Sequence, residues 1–162
     1  MKNEFYHMVD DFLKIDNEMH TLLEQLLNAP LLSRKNLDDI PGNGLYAFYE
    51  NGKPLYVGIS GKNRMRERIL SHGRQSSGHY SATFAFNIAK KDAASKGINI
   101  RERRNILEQK PEFADLYALA KERVARMNVR VVEINDPNYR ALFEIYAALA
   151  LNTMEYNSFE TH

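Results

Sequence analysis

Two short runs joined by Asn51-Gly52 constrain the fold of this chain more than anything else in its 162 residues. GLYAFY (44–49) and PLYVGIS (54–60) are dense in aromatic, branched and β-forming residues. The link Glu50-Asn51-Gly52-Lys53 carries the Asn-Gly pair that accepts positive φ at both central positions of a tight turn. The pattern predicts a β-hairpin. Side chains alternate across a strand, so Leu45, Ala47 and Tyr49 fall on one face while Tyr46 and Phe48 share the other.

Before the hairpin, Phe5, Met8, Val9, Phe12, Met19, Leu22, Leu23 and Leu26 recur at roughly helical spacing, predicting one long or two shorter amphipathic helices over 3–27. Their expected role is to cap the core. Pro30, Pro41, Gly42 and Gly44 then punctuate a loop. After the hairpin a helix of about ten residues is expected to end near Gly73, with Arg68 and His72 one turn apart on it. GRQSSGHYSA reads as a small, polar, mobile loop. ATFAFNIAKKDAASKG reads as a helix closed by Gly97, although the alternation of Phe84, Phe86 and Ile88 also allows a strand in its first half. Helices are expected over 99–109 and 112–127, separated by Pro111. VRVVEI (129–134) is the natural third strand, and Asp136-Pro137-Asn138 caps an apolar helix over 139–151.

This order gives an α/β protein with a small three-stranded mixed or antiparallel sheet flanked by helices. It divides into an N-terminal helical extension (1–40) and a domain over 41–162 with a helical insert at about 74–128. No apolar run approaches a membrane span and the acidic N-terminus does not read as a signal peptide, so a soluble cytoplasmic protein is expected. With no cysteine, a disulfide framework and thiolate metal sites are excluded, and a bound metal must take carboxylate, histidine or water. The net charge of +1 conceals segregation: 60–110 carries 12 Lys and Arg against 4 Asp and Glu, whereas the first 40 residues carry 4 against 8. A polyanion is the natural partner of such a basic stretch, the plain alternative being solvated helix faces.

Gly44-Leu45-Tyr46, a short turn, and Tyr56-Val57-Gly58 resemble the paired tripeptides of the GIY-YIG nuclease family. Arg68 with His72, then Glu144 on the apolar helix, then Asn157, follow in the order in which that family places its arginine, histidine, metal-binding glutamate and asparagine. Arg64 and Arg66 compete with Arg68 for the arginine's place. The resemblance implies metal-dependent hydrolysis of a DNA phosphodiester, leaving a 5′ phosphate and a 3′ hydroxyl, with Mg2+ or Mn2+ held by Glu144. It further implies that Tyr46 orients or deprotonates the attacking water and that Arg68 grips the phosphate. Tyr56 would hydrogen-bond the site, and Asn157 would hold the chain or a ligand. Lys53 would assist, as a lysine at that place does in some restriction enzymes of the family. The rival reading of the same resemblance is a nucleic-acid-binding module that keeps the fold without cutting.

A free tyrosine has a pKa of about 10, so Tyr46 would need a cationic neighbourhood or a relay through His72 to act as a base at neutral pH. Arg64, Arg66, Arg74, Lys90 and Lys91 are the basic residues expected to contact DNA. One such site cuts one strand at a time, so double-strand cleavage would call for a homodimer or two nicks. Taken singly, each residue also has an ordinary reading: strand aromatics with wet hydroxyls for Tyr46 and Tyr56, a helix cap for His72, a structural ion pair for Glu144.

Overall fold

The computed structural model describes residues 2–159, with side chains from Met8 onward; the Phe5 side chain expected on the N-terminal stripe lies outside the described residues. Helix α1 (Lys2–Asn28) is one continuous helix. The hairpin follows as β1 (Gly44–Glu50) and β2 (Lys53–Ser60), then α2 (Met65–His72), α3 (Thr83–Ser95), a short α4 (Arg104–Leu107), α5 (Pro111–Ala125), β3 (Asn128–Glu133) and α6 (Pro137–Ala150). Asn51 and Gly52 take φ of 52° and 77°, the positive pair that a two-residue turn with right-handed strand twist requires. The sheet is antiparallel with order β2-β1-β3, so β1 is central.

Both sheet edges are covered. The outer edge of β3 is bridged by Leu32, whose N–H and C=O exchange 2.8 Å bonds with the backbone of Val129. The outer edge of β2 is closed by a side chain: the Asn157 amide accepts from Val57 N–H at 3.0 Å and donates to Val57 C=O at 2.8 Å. An unpaired edge is a template for aggregation, and these contacts occupy one residue of each edge, Val129 and Val57.

Strand alternation divides the interior into two cores. Tyr46, Phe48 and Tyr56 face α2, α3 and α5, together with Met65, Ile69, Phe84, Phe86 and Phe113. Leu45, Ala47, Tyr49 and Val57 face the other way, against Met19, Leu22 and Leu26 of α1 and Phe143, Ala147 and Ala148 of α6. The N-terminal helix thus covers one face of the sheet, as its capping role requires; burying a leucine such as Leu26 contributes about 1.5–3 kcal/mol.

The helix expected from Ala82 to Gly97 forms as α3, and the strand alternative for its first half falls away: Phe84, Ala85, Phe86, Ile88 and Ala89 are all buried, so α3 is wrapped on most of its circumference and its apolar spacing imitates alternation. Two other expectations change. The helix expected over 99–109 shrinks to one turn, Arg104–Leu107. Gly73 does end α2, but at φ −111°, without the left-handed cap; its role is close approach, since a Cβ there would lie 2.7 Å from the backbone N of Ala125. No helix among the described residues is long and apolar enough to cross a membrane.

Candidate active site

Tyr46 is fully buried at the centre of β1, and its phenol lies across Gly58 of the neighbouring strand. A Cβ on Gly58 would come within 2.5 Å of the Tyr46 hydroxyl. The two tripeptides are therefore one packing unit, with the glycine of the second making room for the tyrosine of the first. Tyr46 Oη is 2.8 Å from His72 Nε2. His72 is itself fully buried, ringed by Tyr46, Phe48 and Tyr56 at centroid distances of 5.7, 5.5 and 5.4 Å. Tyr56 stacks on Phe84 at 4.6 Å.

The His72 Nδ1 accepts a hydrogen bond from the Phe84 backbone N–H at 3.4 Å. The single proton of the neutral ring consequently sits on Nε2 and is donated to Tyr46 Oη. Burial pushes the imidazole pKa down to about 3, with the Arg68 charge acting in the same direction, so the ring stays neutral. This reverses the expected relay: in this tautomer His72 donates to Tyr46 and has no lone pair with which to take the phenol's proton. Burial also raises the Tyr46 pKa well above 10, the charge of Tyr56 adding to it and Arg68 opposing. Tyr56 is pushed up to about 12, by burial first and by Glu144 next.

Of Arg64, Arg66 and Arg68, Arg68 is the one whose charge reaches the buried group. Its charge acts on Tyr46, Tyr56, His72 and Glu144 alike. Its Nη1 donates to the carbonyls of Ser81 at 2.9 Å and Tyr80 at 3.3 Å, and the fork lines the cleft with no carboxylate paired to it among the described residues. The loop that supplies those carbonyls was expected to be mobile. It is pinned instead: Lys121 Nζ donates to Gln75 C=O at 2.9 Å, Gln75 Nε2 to Ala118 C=O at 3.1 Å, and the buried His79 sits 2.8 Å from the Glu108 carboxylate. The insert thus holds the arginine in place, a function that polar composition alone did not reveal.

Glu144 reaches the same group from α6. It is half-buried with no ion pair or hydrogen bond among the described residues, and burial raises its pKa to about 7 against the pull of Arg68. No three His, Asp or Glu side chains among the described residues gather into a metal cluster. A cation here would have one protein carboxylate and would take its remaining oxygens from water and substrate phosphate, the way Mg2+ is commonly held. A carboxylate that burial raises in pKa and that has no ion-pair partner among the described residues suits that arrangement. Asn157 acts on the chain rather than on a ligand: its amide is spent on Val57 and also accepts from Thr153 Oγ1 at 2.9 Å.

A cleft of about 510 Å³ opens beside these residues, lined by Lys62, Arg64, Arg68, Arg74 and Arg140 with a single acid, Glu67. Arg64 and Arg74 join the site there, Arg74 being gripped by both oxygens of Glu67 at 2.7 and 3.0 Å. Arg66 does not: it points to Asp38, 3.1 Å away, at the surface. Lys53 is exposed at the hairpin turn and is not among the charges felt by Tyr46, Tyr56, His72 or Glu144. Lys90 and Lys91 lie on α3 outside the cleft, Lys91 paired with Glu155 over the Tyr156 ring. Arg140 was missed in the sequence, although it stands one helical turn before Glu144 and so shares its side of α6. No family model matches the chain, and comparison with curated proteins and with solved structures likewise finds no match.

Proposed function

We propose that the chain is a metal-dependent endonuclease of GIY-YIG type, acting on DNA in the cytoplasm and leaving 5′-phosphate and 3′-hydroxyl ends. The observation that carries this reading is the convergence of Tyr46, Tyr56, Arg68, His72 and Glu144, drawn from four elements, beside one arginine-rich cleft. Residues so far apart in sequence and so alike in chemical use are what phosphodiester hydrolysis needs in one place.

Arg68, anchored on Ser81, offers its free N–H groups to the scissile phosphate as a permanently charged fork. His72 fixes the Tyr46 phenol by donating to it, so the Tyr46 hydrogen stays available to orient the attacking water. For Tyr46 to take a proton it must first lose its own, which burial opposes and Arg68 favours. A divalent cation, Mg2+ or Mn2+, at Glu144 would supply Lewis-acid charge for the phosphoryl and leaving 3′ oxygens. Asn157 and Thr153 hold β2, and with it Tyr56 and Gly58, against the C-terminal turn. Two copies of the chain would be needed to cut both strands in one encounter.

A second reading, a binding module that does not cut, is favoured by one observation: the Tyr46 side chain has no exposed surface. Nicking of supercoiled plasmid with Mg2+ or Mn2+ separates the two. The nuclease reading expects wild-type nicking, a roughly 10³-fold loss in Glu144→Ala through loss of several kcal/mol of charge stabilisation, and a clear loss in Tyr46→Phe. Salt-sensitive retention of plasmid without any nick under these conditions supports the binding module instead.

A further inference from the structure

We infer that Arg140 is a second phosphate anchor, gripping a phosphodiester that neighbours the one held by Arg68, so that the cleft takes a stretch of DNA backbone rather than a single phosphate. The inference rests on the nucleic-acid reading above and extends it to a residue which that reading does not use. Three observations carry it.

Arg140 is fixed in place. Its helix starts at Asp136, whose carboxylate accepts from the N–H groups of Asn138 and Tyr139 at 2.8 and 3.0 Å, with Pro137 pre-set at the first position. One turn in, Arg140 Nη1 donates to Ile134 C=O at 3.1 Å, which ties the guanidinium across the turn between β3 and α6. The guanidinium also lies against Gly61, just past the end of β2, where a Cβ would come within 2.7 Å of Nη2. The glycine lets the fork reach the cleft floor.

Arg140 is also uncompensated. Among the described residues Arg66 is paired with Asp38 and Arg74 with Glu67, while Arg64, Arg68 and Arg140 have no carboxylate partner. Of the two acids four residues away, Asp136 is occupied by its capping bonds and Glu144 makes no ion pair among the described residues. Three unpaired guanidinium groups around one cleft repel one another, and an anion there relieves that cost.

The cleft has room for more than one phosphate. Its volume of about 510 Å³ falls in the range of pockets that hold whole ligands, and it extends from Arg68 on α2 to Arg140 on α6. Arg140 and Glu144, one turn apart, put the anchor and the carboxylate proposed to hold the cation on successive turns of a single helix.

The test measures binding of a labelled DNA duplex by wild type, Arg140→Gln and Arg140→Lys in EDTA across a salt series, together with thermal melting. A parallel assay follows hydrolysis of thymidine 5′-(p-nitrophenyl phosphate), a diester with no flanking phosphate. Arg140→Gln is expected to bind duplex about tenfold more weakly and to lower the slope of log K against log salt by about 0.9, the signature of one lost phosphate contact. Arg140→Lys restores the slope by restoring the charge. The small diester is given to the wild type, where it reports cleavage that needs no flanking phosphate. An unchanged salt slope in Arg140→Gln overturns the inference, and so does weakened binding accompanied by a fall in melting temperature that Arg140→Lys does not repair, which would make Arg140 a structural pin. A wild type that binds duplex with the expected slope but cuts neither substrate defeats the nuclease reading and leaves the anchor standing. A wild type that does not bind defeats both.

Discussion

Tyr46 and Tyr49 sit three residues apart on one strand, and the two faces of β1 make different use of them. Tyr46 enters a core of Phe48, Tyr56, His72 and Phe84, where its hydroxyl is hydrogen-bonded to His72 and lies within the influence of Arg68. Tyr49 enters the opposite core of Leu45, Ala47, Leu26 and Phe143; Arg130 lies over its ring at 5.3 Å, and its hydroxyl has no hydrogen-bond partner among the described residues. Both are buried and both are tyrosine. What separates the candidate-site face from the packing face here is therefore the polar framework around the ring: a fixed imidazole, an anchored guanidinium and an open cleft on one side, one guanidinium over an otherwise apolar core on the other.

The sharpest way to break this comparison is through pH, because among the described residues of the two faces only the Tyr46 face buries an imidazole. The folded-state pKa of His72, about 3, lies below its ordinary value of 6.5, so the unfolded chain binds the proton first. Its contribution is present above pH 6.5 and is lost as pH falls toward 3, on the order of 4 kcal/mol. Glu144 has the opposite sign: raised from 4.5 to about 7, it favours the folded state below pH 4.5 and that advantage is lost as pH rises to 7. In Glu144→Gln the acid-side fall should stand clear of this opposition, and denaturant titrations should show much of it disappear on adding His72→Gln. Nitrogen NMR should find the His72 proton on Nε2 down to about pH 4; a ring that titrates near 6.5 contradicts the buried neutral imidazole.

A smaller effect is expected from Gly58→Ala. The added methyl meets the Tyr46 phenol at 2.5 Å, so the ring must leave His72 or the strands must part, at a cost of about 1–3 kcal/mol. Melting temperature and nicking rate should fall together. Retention of both would mean that Tyr46 and Gly58 are not a single packing unit.

The smallest effects sharpen the comparison directly. Tyr46→Phe leaves the buried His72 Nε2–H without its acceptor and should cost about 1–3 kcal/mol in unfolding free energy. Tyr49→Phe removes a hydroxyl that has no partner, and should leave stability within about 0.5 kcal/mol or raise it. Equal losses in the two variants would erase the distinction between the faces.

Much of the frame is legible along the chain because its causes are local. Asn51-Gly52 sets the turn by its own φ values, alternation assigns Tyr46 and Tyr49 to opposite faces, and i, i+4 spacing puts Arg68 beside His72. Asp136-Pro137 announces the helix that carries Glu144. Burial on several sides blurs the period in α3, which left a strand open beside the helix it forms, and reading fails where a polar loop gains its order from distant partners, as Gln75 does from Lys121 and Ala118.

The sequence by itself determined the hairpin, the third strand and the division of the strand's residues between two faces. The tertiary structure alone decided which of three arginines stands at the site, that Arg140 shares the cleft, that Asn157 closes a strand edge, and that His72 gives its proton to Tyr46 instead of taking one. The physical reason is range. Backbone dihedrals and side-chain periodicity act over a few residues and leave their mark on the local pattern. Charge compensation, burial and the direction of a hydrogen bond depend on which distant groups packing brings into contact, as when Phe84 N–H meets Nδ1 of His72 and so fixes the tautomer at the other end of the ring.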